Sequence, residues 1–276
     1  MAREPRRKRR TLEAKLAALS ARPFAHRGLH SPGGPVENSV AAFEAAIDAK
    51  LGIELDVQLT AEAGAVVFHD ATLERLSDGV GPVVGQSMKT LQTMRLKHSD
   101  ECISPLADVL HRIGGRTPVL IEAKAGDNSP VALALAVRRA LEGYIGPVGI
   151  MSFHPAVSRW FHDHFPNMLN GLVMSEEEDT VGSAWRGSGP ARLLTIRHAQ
   201  PKFLAYDVRS LPSRLAKRFR KSGRRTFTWT VRTDADLAKA AAHADQPILE
   251  GPAAVRIIGS DSPTADAVAA DEGAAR

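Results

Sequence analysis

Two short segments carry charges at alternate positions between apolar residues: Ile53-Glu54-Leu55-Asp56-Val57 and Val119-Leu120-Ile121-Glu122-Ala123-Lys124. Residues two apart on a β-strand share a face. Glu54 and Asp56 therefore point one way, as do Leu120, Glu122 and Lys124, while Ile53, Leu55, Val57, Val119 and Ile121 point the other. Such strands need helices over their apolar side and a protected polar space on the opposite side. A barrel of parallel strands ringed by helices supplies both, with the charged groups near the strand ends where barrel sites lie.

The rest of the chain fits that frame. Strand patterns fall at 24–27, 53–59, 119–123, 148–153, 169–174, 203–208, 226–231 and 247–250, with helical patterns between most of them, as at 131–141 and 234–243. A further strand, 65–68, follows 53–59 after only a few residues. A parallel crossover needs about a dozen, so this pair is predicted to be an antiparallel hairpin outside the barrel count. The expected fold class is α/β, a (β/α)8 TIM barrel with a small insertion after the second strand. An open doubly wound sheet is the alternative, but no G-x-G-x-x-G loop supports it. Asn38 or Ser39 is expected to cap a helix carrying Val40, Phe43 and Ile47, with Gly52 as its stop. Ser104-Pro105 is expected to open another, ended by Gly114-Gly115.

Three regions follow: a basic N-terminal tail over 1–22, a barrel over 23–258 with an irregular insertion at about 71–117, and a disordered C-terminal tail over 259–276. The formal charge of +5 is local. Residues 1–22 hold eight Lys/Arg against two Glu, leaving residues 23–276 at −1. The tail can make weak contact with anionic membrane, at roughly 1 kcal/mol per cation near the surface. No aromatic residue interleaves Arg6 to Arg10, so no specific nucleic-acid partner is expected. A second run, 214–225, has seven cations and no acid and reads as a solvated helix face. Cys102 is the single cysteine, which excludes an intrachain disulfide. No secretory-type segment follows the basic start, and a cytoplasmic address is expected.

The chemistry follows from donor types. Glu54, Asp56 and Glu122 cannot stay ionised side by side without a compensating cation. Oxygen donors favour Mg²⁺ or Ca²⁺, whereas a buried ion-pair network through Lys124 and Arg27 is the plainer alternative. His26 and His69 sit at strand ends beside these acids, and imidazole suits both proton acceptance and proton donation near neutrality. Cation, base and acid together meet the needs of phosphodiester hydrolysis.

The segments F-A-H-R-G (24–28), V-E-N-S (36–39), G-I-E-L-D-V-Q-L-T (52–60), V-V-F-H-D (66–70), L-I-E-A-K (120–124), S-F-H-P (152–155) and T-W-T-V (228–231) stand in this order. In them the chain resembles the glycerophosphodiester phosphodiesterases, a barrel family related to the phosphatidylinositol-specific phospholipases C. The resemblance implies His26 and His69 as the acid–base pair and Glu54, Asp56 and Glu122 as ligands of a divalent cation. It implies Arg27 and Lys124 as phosphate and glycerol contacts, Glu37 as the conserved loop acid, and the insertion as part of the rim. Trp229 is either a wall for the glycerol or an ordinary core tryptophan. The implied substrate is a glycerophosphodiester, cleaved to sn-glycerol 3-phosphate and an alcohol; lysophospholipid hydrolysis in the same site, or a non-catalytic phosphoryl-ligand binder, are the alternatives. Arg232 stands where the family commonly has Asn, Ser39 where it has Thr, and 246–250 depart from its usual last strand. None of these departures lies at the expected proton-transfer or metal positions.

Overall fold

The computed structural model describes residues 3–126, 129–177 and 189–260. Helix α1 (Arg3–Leu19) leads into β1 (Phe24–Ala25), α2 (Val40–Asp48), β2 (Gly52–Leu59), β3 (Ala65–Val67), α3 (Met88–Leu91) and α4 (Leu106–Ile113). Then come β4 (Val119–Ala123), α5 (Pro130–Ala140), β5 (Val148–Ser152), α6 (Pro155–His164), β6 (Leu169–Met174) and α7 (Gly189–Ala199). The chain continues through β7 (Phe203–Asp207), α8 (Arg214–Lys221), β8 (Arg225–Val231), α9 (Asp234–His243), β9 (Gln246–Leu249) and α10 (Pro252–Ser260). The parallel strands run in the order β1-β9-β8-β7-β6-β5-β4-β2, and β1 also pairs with β2, so the sheet closes into an eight-stranded barrel. β3 pairs antiparallel with β2 and lies outside the count, Val57 opposite Val67.

Alternation sorts side chains between two cores. Ile53, Leu55, Val57, Val119, Ile121 and Ala123 face outward onto Phe43, Leu110 and Val137 of the surrounding helices. Phe24, Leu120, Met151, Phe203, Phe227 and Ile248 fill the barrel's inside. Gly149 and Gly171 make that filling fit: a Cβ on Gly171 would lie 2.2 Å from Phe203 Cε2, and one on Gly149 would lie 2.8 Å from Leu19 Cδ2.

Leu19 belongs to α1, which corrects the expected domain boundary. The region 1–22 is not merely a solvated tail, because Leu16 and Leu19 are buried against Phe24 and Leu120 and help fill the barrel interior. Their spacing of three puts both on one helix face, and burying them outweighs solvating a basic helix. At the other end, α10 carries the fold to Ser260; the rest of the expected C-terminal tail lies outside the described residues.

The insertion is more ordered than its Gly/Pro content predicts. Phe68, Leu73, Val83, Leu91, Leu96 and Ile103 form a small core of their own with Val66. Glu101 docks the insertion onto the barrel by accepting hydrogen bonds from Val40 N (2.7 Å) and Ala41 N (3.0 Å) at the start of α2. There a carboxylate satisfies free amides and complements the helix dipole. Ser39, not Asn38, caps α2. Gly52 begins β2 instead of stopping α2. Pro105 occupies the cap of α4, with Gly114 left-handed at its end. The cationic run on α8 buries Ala216 and Phe219 beneath it, and Arg220 and Arg225 share Asp245. Among the described residues no helix is long and apolar enough to cross a membrane.

Leu19→Ala should destabilise the protein by about 2–5 kcal/mol, the usual cost of a buried leucine truncation. Urea unfolding measures this; a loss within experimental error would mean that α1 only rests on the barrel.

Candidate active site

The barrel's inner alternation ends in charge. Glu54 and Asp56 on β2 and Glu122 on β4 are buried, and the parallel register sets Asp56 beside Glu122. One carboxylate oxygen from each lies within 4.8 Å of the others. Lys124 Nζ approaches Asp56 Oδ1 at 3.0 Å and Glu122 Oε1 at 2.7 Å. Each oxygen has lone-pair capacity beyond its charge contact with Lys124. Glu54 Oε1 is buried with no hydrogen-bond partner at all. Three buried carboxylates with an oxygen of each within 4.8 Å of the others suit a divalent cation of the Mg²⁺ or Ca²⁺ type, so the donor set fits the implied ion.

The electrostatics agree. Burial, then the Asp56 and Glu122 charges, push the Glu54 carboxyl well above its ordinary range. Asp56 goes the opposite way: burial opposes ionisation, but Lys124, Arg27, His69 and His26 outweigh it and hold Asp56 far below the carboxylate range. Burial likewise disfavours charge on Lys124, yet Asp56 and Glu122 keep it an ammonium.

A tight turn after β1 sets Arg27. Its backbone is left-handed (φ 55), and Gly28 follows at φ 79 with no room for a Cβ, which would sit 2.8 Å from Ala42 Cβ. The turn aims the Arg27 amide at Glu54 Oε2 (3.0 Å) and its guanidinium at Glu37 Oε1 (2.7 Å), with Nε 3.3 Å from Asp56 Oδ2. Asn38, also left-handed at φ 59, accepts from Asp56 N (3.1 Å) and donates Nδ2–H to Asp56 Oδ2 (2.9 Å). Asparagine tolerates that backbone well, and this use of Asn38 replaces its expected capping role.

Each histidine has its own carboxylate. His26 Nδ1 lies 2.6 Å from Glu250 Oε2, and His69 Nδ1 lies 2.6 Å from Asp70 Oδ1. An ionised carboxylate only accepts, so each Nδ1 carries the proton and each Nε2 is left for chemistry. His26 Nε2 lies 3.9 Å from Glu54 Oε2. Burial lowers the His26 pKa despite the Glu250 hydrogen bond, so the ring is neutral. Glu250 is pulled down to about 2, its own burial outweighed by His26 and Arg232. The pair is therefore a neutral imidazole donating to a carboxylate.

Glu250, Asp70 and Arg75 were not assigned from sequence. Arg75, from the insertion, bridges Asp70 and Glu37 (Nη2 to Glu37 Oε1, 2.9 Å), so the insertion does reach the site. Asp70 could have been found from its place beside His69 at a strand end; Arg75 gave no such signal. The last-strand departure reaches His26, since Glu250 holds that ring, and Arg232 in turn donates to Glu250 Oε2 (2.9 Å). Trp229 donates Nε1–H to Ala205 O (3.0 Å) and packs edge-on against Phe153 (5.5 Å), as part of the inner core.

Asp70 and Glu37 are both lowered: burial raises each, and the hydrogen bonds from Arg75, with His69 and Arg27, more than offset it. Their stabilisation is thus present above the unfolded value near about pH 4 and lost as pH falls through the folded values. Arg75→Met should cost about 1 kcal/mol at neutral pH, discounted for the half-exposed guanidinium. Urea unfolding should show the gap to the parent narrowing below about pH 4; a constant gap would assign Arg75 to packing alone.

Comparison with known proteins adds the family. The model of the glycerophosphoryl diester phosphodiesterase family matches residues 26–246. A glycerophosphodiester phosphodiesterase of Caldanaerobacter subterraneus is 28% identical over 230 residues, covering 78% of this chain and 88% of that one. An Oleispira antarctica phosphodiesterase, solved with the product sn-glycerol-3-phosphate, superposes with TM-score 0.74 at 19% identity, over 88% of this chain and 99% of that one. A Thermotoga maritima glycerophosphodiester phosphodiesterase superposes at 0.65 with 22% identity, over 82% and 92%. The family model spans the turn, both hairpin strands and the ligand strands on which this geometry is built, and the chain belongs to the glycerophosphoryl diester phosphodiesterase family.

Proposed function

We propose that this chain hydrolyses glycerophosphodiesters to sn-glycerol 3-phosphate and an alcohol, using a divalent cation held by Glu54, Asp56 and Glu122. The observation that carries this reading is the pairing of His26 and His69, each tied through Nδ1 to a carboxylate, around one buried three-acid cluster. The product named for the Oleispira antarctica neighbour supports it.

When bound, the cation offsets charge on the phosphoryl oxygens and acidifies a hydroxyl that touches it. Arg27 and Lys124 add fixed positive charge beside the same oxygens, with Glu37 holding the Arg27 guanidinium in place. One histidine Nε2 accepts the proton of the glycerol 2-hydroxyl while its oxygen bonds to phosphorus. The bond from phosphorus to the alcohol breaks, and the other histidine, which must enter this step protonated at both ring nitrogens, delivers its Nε2 proton to the departing oxygen. Water then opens the cyclic phosphate with the two proton roles exchanged. Asp70 and Glu250 keep the rings aimed through this exchange, because each holds Nδ1–H while Nε2 changes state.

His26→Ala and His69→Ala should each lower turnover by about 10²–10⁴ with folding intact by circular dichroism. Near-normal rates in both would remove the acid–base assignment. Chelation should abolish activity, with Mg²⁺ or Ca²⁺ restoring it. The restoring ion should also raise thermal stability, by about 2.7 kcal/mol at a hundred times its Kd. Glycerol 3-phosphate release undiminished by EDTA would discard the three-carboxylate ion.

A further inference from the structure

A second donor cluster lies behind His26. His26, His30 and Glu250 each place one ligand atom within 4.8 Å of the others. His30 Nε2 is buried without a hydrogen-bond partner. A buried ring nitrogen left in that state carries a desolvation cost unless something binds it. Two imidazoles and one carboxylate form a different donor class from the three carboxylates of Glu54, Asp56 and Glu122. Imidazole suits Zn²⁺ and later transition ions, while an all-oxygen set suits Mg²⁺ and Ca²⁺. The chain thus sets two chemically distinct triads side by side, with His26 as the seam: Nε2 faces Glu54 and Nδ1 faces Glu250.

We propose that His26, His30 and Glu250 form a transition-metal site, best suited to Zn²⁺, whose occupation switches the enzyme off. Binding shifts the single proton of the neutral His26 ring from Nδ1 to Nε2 by exchange through water, with no net proton released, and the metal takes its place at Nδ1 beside Glu250. Arg232, half exposed and paired to the same Glu250 oxygen, has solvent into which to withdraw. An imidazole metallated at Nδ1 carries its one proton on Nε2. Its Nε2 then has no lone pair for a substrate proton. The inhibitory consequence rests on the proposed acid–base role of His26, whereas the binding itself does not.

The test uses the full chain saturated with Mg²⁺. Co²⁺ is titrated and followed by its visible absorption, and Zn²⁺ is titrated into an assay of glycerophosphocholine cleavage. The parent should bind one Co²⁺ with nitrogen-ligated bands and lose turnover as Zn²⁺ is added. His30→Ala should keep the Mg²⁺-supported rate, weaken Co²⁺ by about tenfold or more, and escape Zn²⁺ inhibition; His30→Gln, which preserves more volume, should behave alike. No bands in the parent, or bands and inhibition equal in parent and His30→Ala, would overturn the site. Bands lost in Glu122→Gln yet kept in His30→Ala would place the ion among the carboxylates and overturn it too. Binding through His30 with turnover unaffected by Zn²⁺ would uphold the metal site and discard the acid–base role of His26.

Discussion

Burying Glu54, Asp56 and Glu122 together is the constraint on which the rest of the site depends. Like charges in a low-dielectric interior cannot all ionise without compensation. The fold answers with Lys124 at 2.7–3.0 Å from two of them and Arg27 at 3.3 Å from Asp56. The division is uneven: Asp56 is held ionised, and Glu54 is driven toward its protonated form. Two unit charges against three acids leave one acid unmatched, and that remaining debt is what a divalent ion suits. The same two cations are those proposed to meet the phosphoryl oxygens, so on that reading structural compensation and substrate recognition would use the same side chains.

The barrel separates this strained chemistry from the source of its stability. Below the acids the interior is filled with Phe24, Leu120, Phe203 and Phe227, with Leu16 and Leu19 of the first helix among them. That packing fixes the strand register, and the register fixes the acids: Asp56 stands opposite Glu122 because Ile53 stands opposite Val119. A slip of one residue would turn both acids under the helices.

Much of this was legible in the sequence because it is written in short-range alternation. The periods at 53–57 and 119–124 specified the inward acids, and the four-residue link at 61–64 specified the antiparallel hairpin that carries His69. What the sequence did not reveal depends on distance along the chain. Leu16 and Leu19 fall within what reads as a basic tail, since nothing local says that they reach Phe24 and Leu120. Arg75 lies in a Gly- and Pro-rich insertion, where no period predicts a direction. Glu250 was visible only as a departure from a family pattern. Its role appears when closure of the barrel brings residue 250 beside residue 26.

That closure ties catalysis to folding in a specific way. β1 is only two residues long, and its seam with β9 continues through the hydrogen bond from His26 N to Leu249 O at 2.9 Å. The bond sets the backbone of the histidine against the strand that delivers its carboxylate, so the first and last strands jointly fix the ring. A pair assembled from opposite ends of a polypeptide exists only when every intervening strand is in register. The neutral state of His26 depends on the burial which that completed barrel provides, and its orientation depends on an acid from the final strand. Incompletely closed forms would expose the ring and lose its partner together. The proton-transfer role proposed for His26 would therefore be available only in the fully assembled barrel, where burial and the Glu250 partner are both in place.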